Sequence, residues 1–414
     1  MTREPHSPPR QAEVNRSLVL DTIRHAESLT RADIVRLTHL SPQTVSNVVR
    51  YLLKHDLVLE TGTVAPEGRG RPGTTIQLNP HGRFAVGVHV DPSALEVVAV
   101  DLRGNLLYEH YQPLPFPDNP SRSLTEIAAQ TEKAIARTNQ PRERMLGIGI
   151  ATPGPIEDGR MTRPPLLPSW QDFPLRSRLA HLTRSPTLLD KDVNAAAQAH
   201  LWRRPTTPGT GSDSFMFLYI GAGVALTAVL DGQVWRGRSG NAGEAGHLSG
   251  SSCGLPCPCG QRGCLGVSLG EKEMIEHART LGLHLPGDLL DPSPEGKRAI
   301  FARLLELAEQ GEAVAQHVLS QAADVIVRVT TVLSELLELD TLVIGGPRWP
   351  VMQKQMEPLL NLPLSQRVFY GEHRPIHAIS SPLGARDAAT GAACLVLAET
   401  YSAGARRLQP PPAH

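Results

Sequence analysis

Four cysteines are crowded between Cys253 and Cys264, and a histidine precedes them at position 247. The predicted metal ligands are one imidazole and three thiolates: His247, Cys257, Cys259 and Cys264. Glycines at 260 and 263 let the chain turn tightly between these residues. Four protein ligands make a closed tetrahedral zinc site with no position for an activated water, so the spacing predicts one structural zinc ion per chain.

Two cysteines lie outside this predicted ligand set. Cys253 is a fifth candidate ligand, but the site needs only four, and we interpret it as a free thiol. Cys394 lies in the apolar stretch GAACLVLA and is predicted to be a core residue. The alternative for the whole group is that these cysteines are ordinary buried residues.

A second set of residues near the N-terminus has the character of a DNA-reading surface. Its members are polar or basic: Gln43, Ser46, Asn47 and Arg50 recur at helical spacing, and Thr44 lies beside them near the helix start. Such side chains suit base edges and phosphates in a major groove. The alternative is a solvated helix face, because polar outer faces are the rule.

A glycine-rich basic stretch, PEGRGRPG, follows at Pro66 to Gly73. Its two arginines, Arg69 and Arg71, stand among glycines and could enter a narrow minor groove, where the negative potential is strongest. The alternative is a flexible linker.

Clear helix and strand signals surround these residues. Thr30 with Asp33 three residues later resembles a capping box, and Ser41 followed by Pro42 predicts the start of the next helix. In that helix an apolar face is predicted to be buried: Val45, Val48, Val49 and Leu52. Two short strands are predicted between Val58 and Leu78. Together they predict a winged helix-turn-helix.

From Phe84 onward, strand-like runs alternate with helical stretches, as in an α/β fold. We therefore predict a disordered tail over 1–13, a winged helix-turn-helix DNA-binding domain over 14–80, an α/β effector and oligomerisation domain over 81–400 with a zinc knuckle over 247–264, and a tail over 401–414. The chain has 414 residues, enough for more than one domain.

Composition excludes several classes of protein. Lys plus Arg and Asp plus Glu number 41 each, so the formal net charge is zero and DNA affinity must come from a local basic patch. No uncharged apolar run is long enough to span a bilayer, and the first residues lack the apolar core of a signal peptide. With clustered, metal-type cysteines, this predicts a cytoplasmic protein without a membrane partner.

The chain resembles a known family, ROK, whose repressors and kinases share a sugar-kinase fold. The motifs that carry the resemblance are GEAGH with CPCGQRGCL, GIGIATPGPIEDG, DKDVNAAAQA, VIGGP and ARDAATGAA. The N-terminal unit and its GRGRP wing resemble those of the family's sugar-responsive repressors. The resemblance implies two α/β lobes of the actin-like ATPase type, a sugar in the cleft between them, and dimers or tetramers.

The resemblance also implies a set of sugar-site residues. Asp192 and Glu244 match acceptors of sugar hydroxyls, His247 would position the sugar, and Gly154 would line the cleft. Two residues depart from the family pattern: Lys191 replaces an Asn, and Gly266 replaces a Glu. These changes lead to the hypothesis of an anionic or otherwise modified sugar effector. A solvent-facing Lys191 is the alternative.

The kinases of the family hold ATP phosphates on a glycine-rich loop after the first strand. The matching stretch here, His89 to Ser93, has lost both glycines and carries Asp91 and Pro92 instead. A carboxylate repels a polyanion, and a proline offers no backbone N–H to bind it. We therefore expect no catalytic residues and no kinase activity.

The sequence therefore predicts a DNA-binding transcriptional regulator, a repressor of carbohydrate-metabolism genes, that binds double-stranded operator DNA under sugar control. Two alternatives stay open. One is a sugar kinase with a DNA-binding head, and the other is a ligand-independent repressor whose sensor domain no longer functions.

Overall fold

The N-terminal unit contains three helices and three strands. The computed structural model describes residues 11–64, 73–203, 213–251, 254–286, 294–369 and 371–402. The first elements are α1 (Gln11–Arg24), β1 (Leu29–Thr30), α2 (Arg31–Thr38), α3 (Pro42–Lys54), β2 (Val58–Val64) and β3 (Gly73–Leu78). Helix α1 begins at Gln11, so residues 11–13 are helical and the predicted disordered tail extends too far.

Both predicted helix starts are confirmed. Thr30 and Asp33 form a reciprocal capping box at α2, in which each side chain accepts from the other residue's backbone N–H. Ser41 caps α3 by accepting from the backbone of Thr44, and Pro42 occupies the first turn. The apolar face predicted for α3 is buried. This packing places the remaining faces of α3 toward solvent.

The strands of this unit form one antiparallel sheet in the order β1-β3-β2. Strands β2 and β3 pair from Val58 opposite Leu78 to Val64 opposite Gly73. The two-strand wing predicted between Val58 and Leu78 is therefore present. Together with α2 and α3 it completes a winged helix-turn-helix.

The next elements build a first lobe. They are β4 (Phe84–Asp91), β5 (Ala94–Asp101), β6 (Leu106–Gln112), α4 (Pro120–Arg137), β7 (Met145–Thr152), β8 (Ile156–Glu157), β9 (Arg160–Met161), α5 (Leu175–Thr183), β10 (Thr187–Lys191) and α6 (Asp192–Arg203). The main sheet has the order β10-β7-β4-β5-β6. Strands β4, β7 and β10 are parallel, so their carboxyl ends lie at one edge.

A second lobe follows the same plan. Its elements, with the final helix, are β11 (Phe215–Ile220), β12 (Val224–Leu230), β13 (Gln233–Val234), α7 (Leu265–Ser268), α8 (Glu271–Thr280), α9 (Pro294–Glu309), α10 (Ala313–Leu337), β14 (Thr341–Gly345), α11 (Trp349–Ser365), β15 (Val368–Phe369), β16 (Glu372–His373), β17 (His377–Ser380) and α12 (Asp387–Tyr401). The main sheet has the order β13-β12-β11-β14-β17.

The two main sheets share one pattern of strand directions. In each, three strands are joined by antiparallel pairing and two further strands continue in parallel. This repeated α/β lobe is the arrangement that the resemblance to sugar kinases implies. The predicted fold class, a two-lobed actin-like ATPase fold behind a winged helix-turn-helix, is confirmed.

Helix α12 returns from the second lobe and packs between α6 and the first lobe's sheet. A Cβ at Gly391 would lie 1.8 Å from the carbonyl oxygen of Ala195 in α6. A Cβ at Gly149 in β7 would lie equally close to the carbonyl of Ala392, at 1.8 Å. Glycine is therefore required at both places for the backbones to meet. The result is a tightly packed pair, α6 and α12, against the sheet.

Helix α10 is the longest of the described helices and lies in the core of the second lobe. Glu312 caps its start by accepting from the backbone of Ala315. Its buried face packs with α8, α9 and α11 around an apolar core. Among the described residues, no helix has both the length and the apolar character needed to cross a membrane.

Candidate functional site

The outer face of α3 carries the residues predicted to read DNA. Gln43, Asn47 and Arg50 are exposed there. The Nε2 of Gln43 lies 3.3 Å from the Oδ1 of Asn47, and the Nη1 of Arg50 lies 3.4 Å from the same atom. The structure thus brings an amide, a second amide and a guanidinium into one linked row on the surface, the set of donors and acceptors that base edges require.

The other predicted DNA-binding residues are placed differently. Thr44 and Ser46 are half-buried. The backbone N–H of Thr44 donates to Ser41 Oγ and its hydroxyl lies 2.8 Å from that atom, so Thr44 contributes to the helix cap. Arg69 and Arg71 lie outside the described residues, in the stretch of sequence between β2 and β3.

The N-terminal unit is packed onto the first lobe. Arg24 at the end of α1 places its guanidinium 4.0 Å from the centre of the Trp202 ring and donates to the Trp202 carbonyl. Trp202 is at the end of α6, and its indole N–H donates to Leu102 at 3.3 Å. Apolar residues of α1 and α3 belong to the same core cluster as those of β5 and α12. The N-terminal unit is therefore in direct contact with α6.

The other end of α6 lies at the junction of the two lobes, which is called the cleft below, where Lys191 of the first lobe contacts Glu244 of the second. Asp192 is its first residue and is buried. Burial raises the pKa of the Asp192 carboxyl to about 7, with the backbone N–H of Val193 acting in the opposite direction. The charge of Lys191 also lowers this pKa, and those of Asp91 and Glu244 raise it. A buried, polar acceptor is thus present where the resemblance implies a sugar hydroxyl.

Lys191 is buried, with 1% of its surface exposed, so the alternative of a solvent-facing side chain is wrong. Its ammonium lies 2.5 Å from Glu244 Oε1. It also donates to the carbonyls of Ala242 at 3.1 Å and Asn241 at 3.4 Å. Gly154 lies beside the aliphatic part of Lys191, and a Cβ at Gly154 would lie 2.9 Å from the Lys191 Cε.

Two further polar bridges join the lobes beside Lys191, and the sequence analysis missed both. Asp190 in β10 accepts from Arg236 Nε at 2.7 Å, and both side chains are largely buried. The side chain of Asn241 accepts from the Ile156 N–H at 2.7 Å and donates to its carbonyl at 2.9 Å. The sequence signal that could have indicated these bridges is RGRSGNAGEAGH, a polar, glycine-rich stretch that leads to Glu244.

The loop that would hold nucleotide phosphates in a kinase is occupied by a carboxylate. Asp91 is buried at the end of β4. Its Oδ1 accepts from both the backbone N–H and the hydroxyl of Ser93, at 2.9 and 2.6 Å. The backbone N–H and the hydroxyl of Ser93 are thus both bonded within this turn. Burial lowers the pKa of Arg348, which directly precedes α11, and the charges of Glu271 and Asp91 act in the opposite direction.

Other buried ionisable groups line the same region. Asp387 at the start of α12 accepts from Ser381 and from the N–H of Gly346, and burial raises its pKa to about 7. Burial raises the pKa of Glu96 to about 8 and lowers that of His89. Asp387 belongs to the motif ARDAATGAA, which is the signal that could have identified it.

The predicted metal ligands are brought together. The ligand atoms of His247, Cys257, Cys259 and Cys264 all lie within 4.8 Å of one another. The Cys259 and Cys264 sulfurs are 3.6 Å apart, and the Cys257 sulfur is 3.5 Å from the Nδ1 of His247. The sulfurs of a tetrahedral zinc site with bonds of about 2.3 Å lie about 3.8 Å apart. The geometry fits a four-coordinate metal centre.

The thiols of the cluster are shifted in opposite directions. The pKa of Cys259 is lowered to about 7, mainly because the backbone N–H of Gln261 donates to its sulfur, whereas burial raises the pKa of Cys264 to about 12. Cys253 lies outside the described residues. Cys394 is fully buried in α12, which confirms its prediction as a core residue.

Comparison with known proteins divides the chain at the same place as its structure. The profile described as ROK family matches residues 85–399. The profile described as MarR family matches residues 13–70, the winged helix-turn-helix.

Individual relatives agree with these two matches. The xylose repressor of Caldicellulosiruptor bescii is 28% identical over 315 residues, covering 72% of this chain and 78% of the relative. A crystal structure of a ROK family transcriptional regulator, a homolog of the E. coli MLC protein, superposes with a TM-score of 0.74 at 21% identity, covering 96% of this chain and 98% of the other. The ROK hexokinase of Thermus thermophilus superposes with a TM-score of 0.59 at 26% identity, covering 75% of this chain and 97% of the enzyme. The chain therefore belongs to the ROK family and carries a MarR-type winged helix in front of its two-lobed body.

Proposed function

We propose that this protein is a sequence-specific transcriptional repressor of carbohydrate-metabolism genes, controlled by a sugar or sugar derivative bound in its ROK domain. One observation carries the proposal. Helix α6 begins at Asp192 in the interlobe cleft and ends at Trp202, against Arg24 of the DNA-binding unit. A single buried helix thus connects the candidate ligand site to the candidate DNA-binding head.

The proposed macromolecular partner is double-stranded operator DNA. Gln43, Asn47 and Arg50 would contact base edges and phosphates in the major groove, with Thr44 and Ser46 beside them. Arg69 and Arg71 would enter the neighbouring minor groove. Two such heads in a homodimer or tetramer would bind two half-sites. The proposed location is the cytoplasm, which DNA binding and reduced, metal-type cysteines support.

The proposed ligand site comprises Gly154, Lys191, Asp192, Glu244 and His247. The first three lie in the first lobe and the last two in the second, so a bound sugar would contact both. Such a ligand changes the equilibrium between open and closed lobes only to the extent that it binds one of them more tightly. Induction therefore requires tighter sugar binding to the form that cannot bind DNA.

We propose no catalytic residues. The family includes kinases, and a kinase with a DNA-binding head is the competing function. Asp91 argues against it, because this carboxylate accepts the N–H and hydroxyl of Ser93 and places a negative charge in the phosphate loop. Asp192 could still act as a base, but a base without a phosphate cradle transfers no phosphoryl group.

We propose that His247, Cys257, Cys259 and Cys264 hold one zinc ion per chain. The donor set and distances suit zinc. With four protein ligands, the ion has no open position for a substrate, so its role is structural. His247 is three residues after Glu244. The bound ion would therefore fix the loop that presents Glu244 to the cleft.

The Arg24–Trp202 contact is expected to transmit the ligand signal. Replacing Arg24 by Gln removes the cation–π contact and the hydrogen bond to the Trp202 carbonyl. We expect unchanged affinity for sugar and for DNA alone, but a sugar effect on DNA affinity reduced by at least about fivefold. Gel-shift titrations with and without the active sugar measure that effect.

Arg16→Gln is the matched control. Arg16 is also in α1 and also lies 4.0 Å from the centre of an aromatic ring, that of Tyr51. That ring belongs to the DNA-binding unit itself. The Arg16 variant should keep the full sugar response. An unchanged response in the Arg24 variant would exclude this route.

The experiment that tests the function is a gel-shift titration on the DNA upstream of the protein's own gene. It is repeated with neutral sugars, sugar phosphates and sugar acids. An effect of one class supports a sugar-controlled regulator. Binding that no sugar alters supports a ligand-independent repressor, and DNA binding absent at every salt concentration contradicts the proposed function.

A further inference from the structure

Lys191 occupies the centre of the proposed ligand site. It is the last residue of β10 and directly precedes Asp192. Lysine has three N–H donors. All three have an acceptor here, in Glu244 and in two backbone carbonyls, and the side chain is buried. The ammonium is therefore fully satisfied by the protein, although it lies in a cleft.

The acceptor that Lys191 engages is itself open to solvent. The Glu244 side chain keeps 63% of its surface exposed, while the Lys191 side chain keeps 2%. One carboxylate oxygen is bound by the ammonium at 2.5 Å. A sugar hydroxyl that donated to this oxygen would compete with a charge-assisted hydrogen bond, which is about twice as strong as a neutral one.

The stem of Lys191 fills space as well. Its Cδ and Cε would lie 3.2 and 2.9 Å from a Cβ at Gly154. Gly154 therefore has no room for a side chain because the lysine stem passes over it. The methylenes of the lysine thus cover the cleft wall at Gly154, and its ammonium covers the polar part of the cleft at Glu244.

The contact also joins the two lobes without a ligand. Lys191 and Asp190 are in the first lobe, and their partners Glu244 and Arg236 are in the second. The Asn241–Ile156 pair adds a third bridge. A bound sugar would hold the lobes together by contacting both, and here side chains of the chain itself already do so.

We propose that Lys191 is an internal occupant of the sugar site and is the residue that determines which ligand the site accepts. Paired with Glu244, it lowers the affinity of the site for neutral sugars by taking the acceptor and the space that they need. This inference rests on the proposed function, because it takes the cleft as the ligand site.

The hypothesis of an anionic effector makes the opposite prediction for the same residue. There Lys191 would leave Glu244 and bind the ligand's negative charge. The geometry favours the internal occupant, because an anion placed at the ammonium would also face the carboxylates of Glu244 and Asp192. The two hypotheses differ in the sign of the effect of removing the lysine.

The test is calorimetric titration of the full-length protein and its Lys191→Asn variant with glucose, xylose, glucose 6-phosphate and gluconate. We expect the variant to bind a neutral sugar at least tenfold more tightly than the wild type. Lys354→Asn is the matched control, since Lys354 is an exposed lysine that pairs with Glu309 at the surface. It should bind like the wild type. Lys191→Met keeps the stem without the charge and should give a smaller gain.

Three outcomes would overturn the inference. In the first, the wild type binds neutral sugars as tightly as Lys191→Asn does. In the second, neither Lys191 variant binds a neutral sugar more tightly than the wild type, although both unfold at the wild-type temperature. The third is tight binding of glucose 6-phosphate or gluconate by the wild type that is lost in Lys191→Asn. None of them removes the proposed function, which fails separately if the wild-type protein does not bind its upstream DNA.

Discussion

Alanine at both Gln43 and Arg50 is expected to lower the affinity for the upstream DNA by about 100-fold, since each good base contact contributes about 1–3 kcal/mol. Both side chains are exposed and both lie within hydrogen-bonding distance of Asn47 Oδ1. Neither contributes to the buried face of α3, so the fold should be unaffected. Gel-shift titration of the wild type and the double variant measures the loss.

The salt dependence separates base contacts from phosphate contacts. A lost phosphate contact lowers the slope of log K against log salt by about 1, whereas a lost base contact mainly lowers the preference for operator over random DNA. Arg303→Ala is the control, because Arg303 is an exposed arginine of α9 in the body. Its affinity should match the wild type. A double variant that binds like this control would show that α3 does not read DNA.

Much of this DNA-binding unit is predictable because its signals are local. The capping box joins Thr30 to Asp33, and the α3 cap joins Ser41 to Thr44, three residues apart in each case. The burial of Val45 follows from a helical period that the sequence displays directly. Such features need no knowledge of the rest of the chain.

The metal cluster is predictable for a related reason. Its three cysteines fall within one short loop, and thiolates with imidazole have few other uses at such spacing. The fourth ligand, His247, stands close enough in sequence to be associated with them.

The interior of the cleft could not be predicted in the same way. The environment of Lys191 depends on Glu244, which lies 53 positions along the chain, and on a loop carbonyl at Ala242. The contact between Arg24 and Trp202 spans 178 positions. Sequence periodicity carries no information about such pairs, because they depend on how lobes and domains pack. The alternative of a solvent-facing lysine fails for this reason.

Loss of one ligand from the metal cluster is expected to have the largest effect on stability. Cys264 is fully buried at the start of α7, and Leu265 behind it belongs to the core of the second lobe. Replacing Cys264 by Ala should release the metal and cost more than about 4 kcal/mol, as losses of structural metals do. At about 2–4 °C per kcal/mol, the melting temperature should fall by roughly 10 °C.

Cys394→Ala is the matched control for this experiment, because Cys394 is equally buried but lies in α12, away from the cluster. This substitution also removes one buried sulfur atom. It should lower the free energy of unfolding by about 1 kcal/mol and leave the zinc content unchanged. Elemental analysis and thermal unfolding of the three proteins give both quantities. A Cys264→Ala protein that keeps one zinc per chain, or a wild type purified without chelators that holds none, would contradict the structural zinc.

If zinc and stability are instead lost together in Cys264→Ala, we infer that the zinc knuckle fixes the loop that carries Glu244. Ligand binding in the cleft should then weaken with them, because Glu244 and His247 belong to the same short segment.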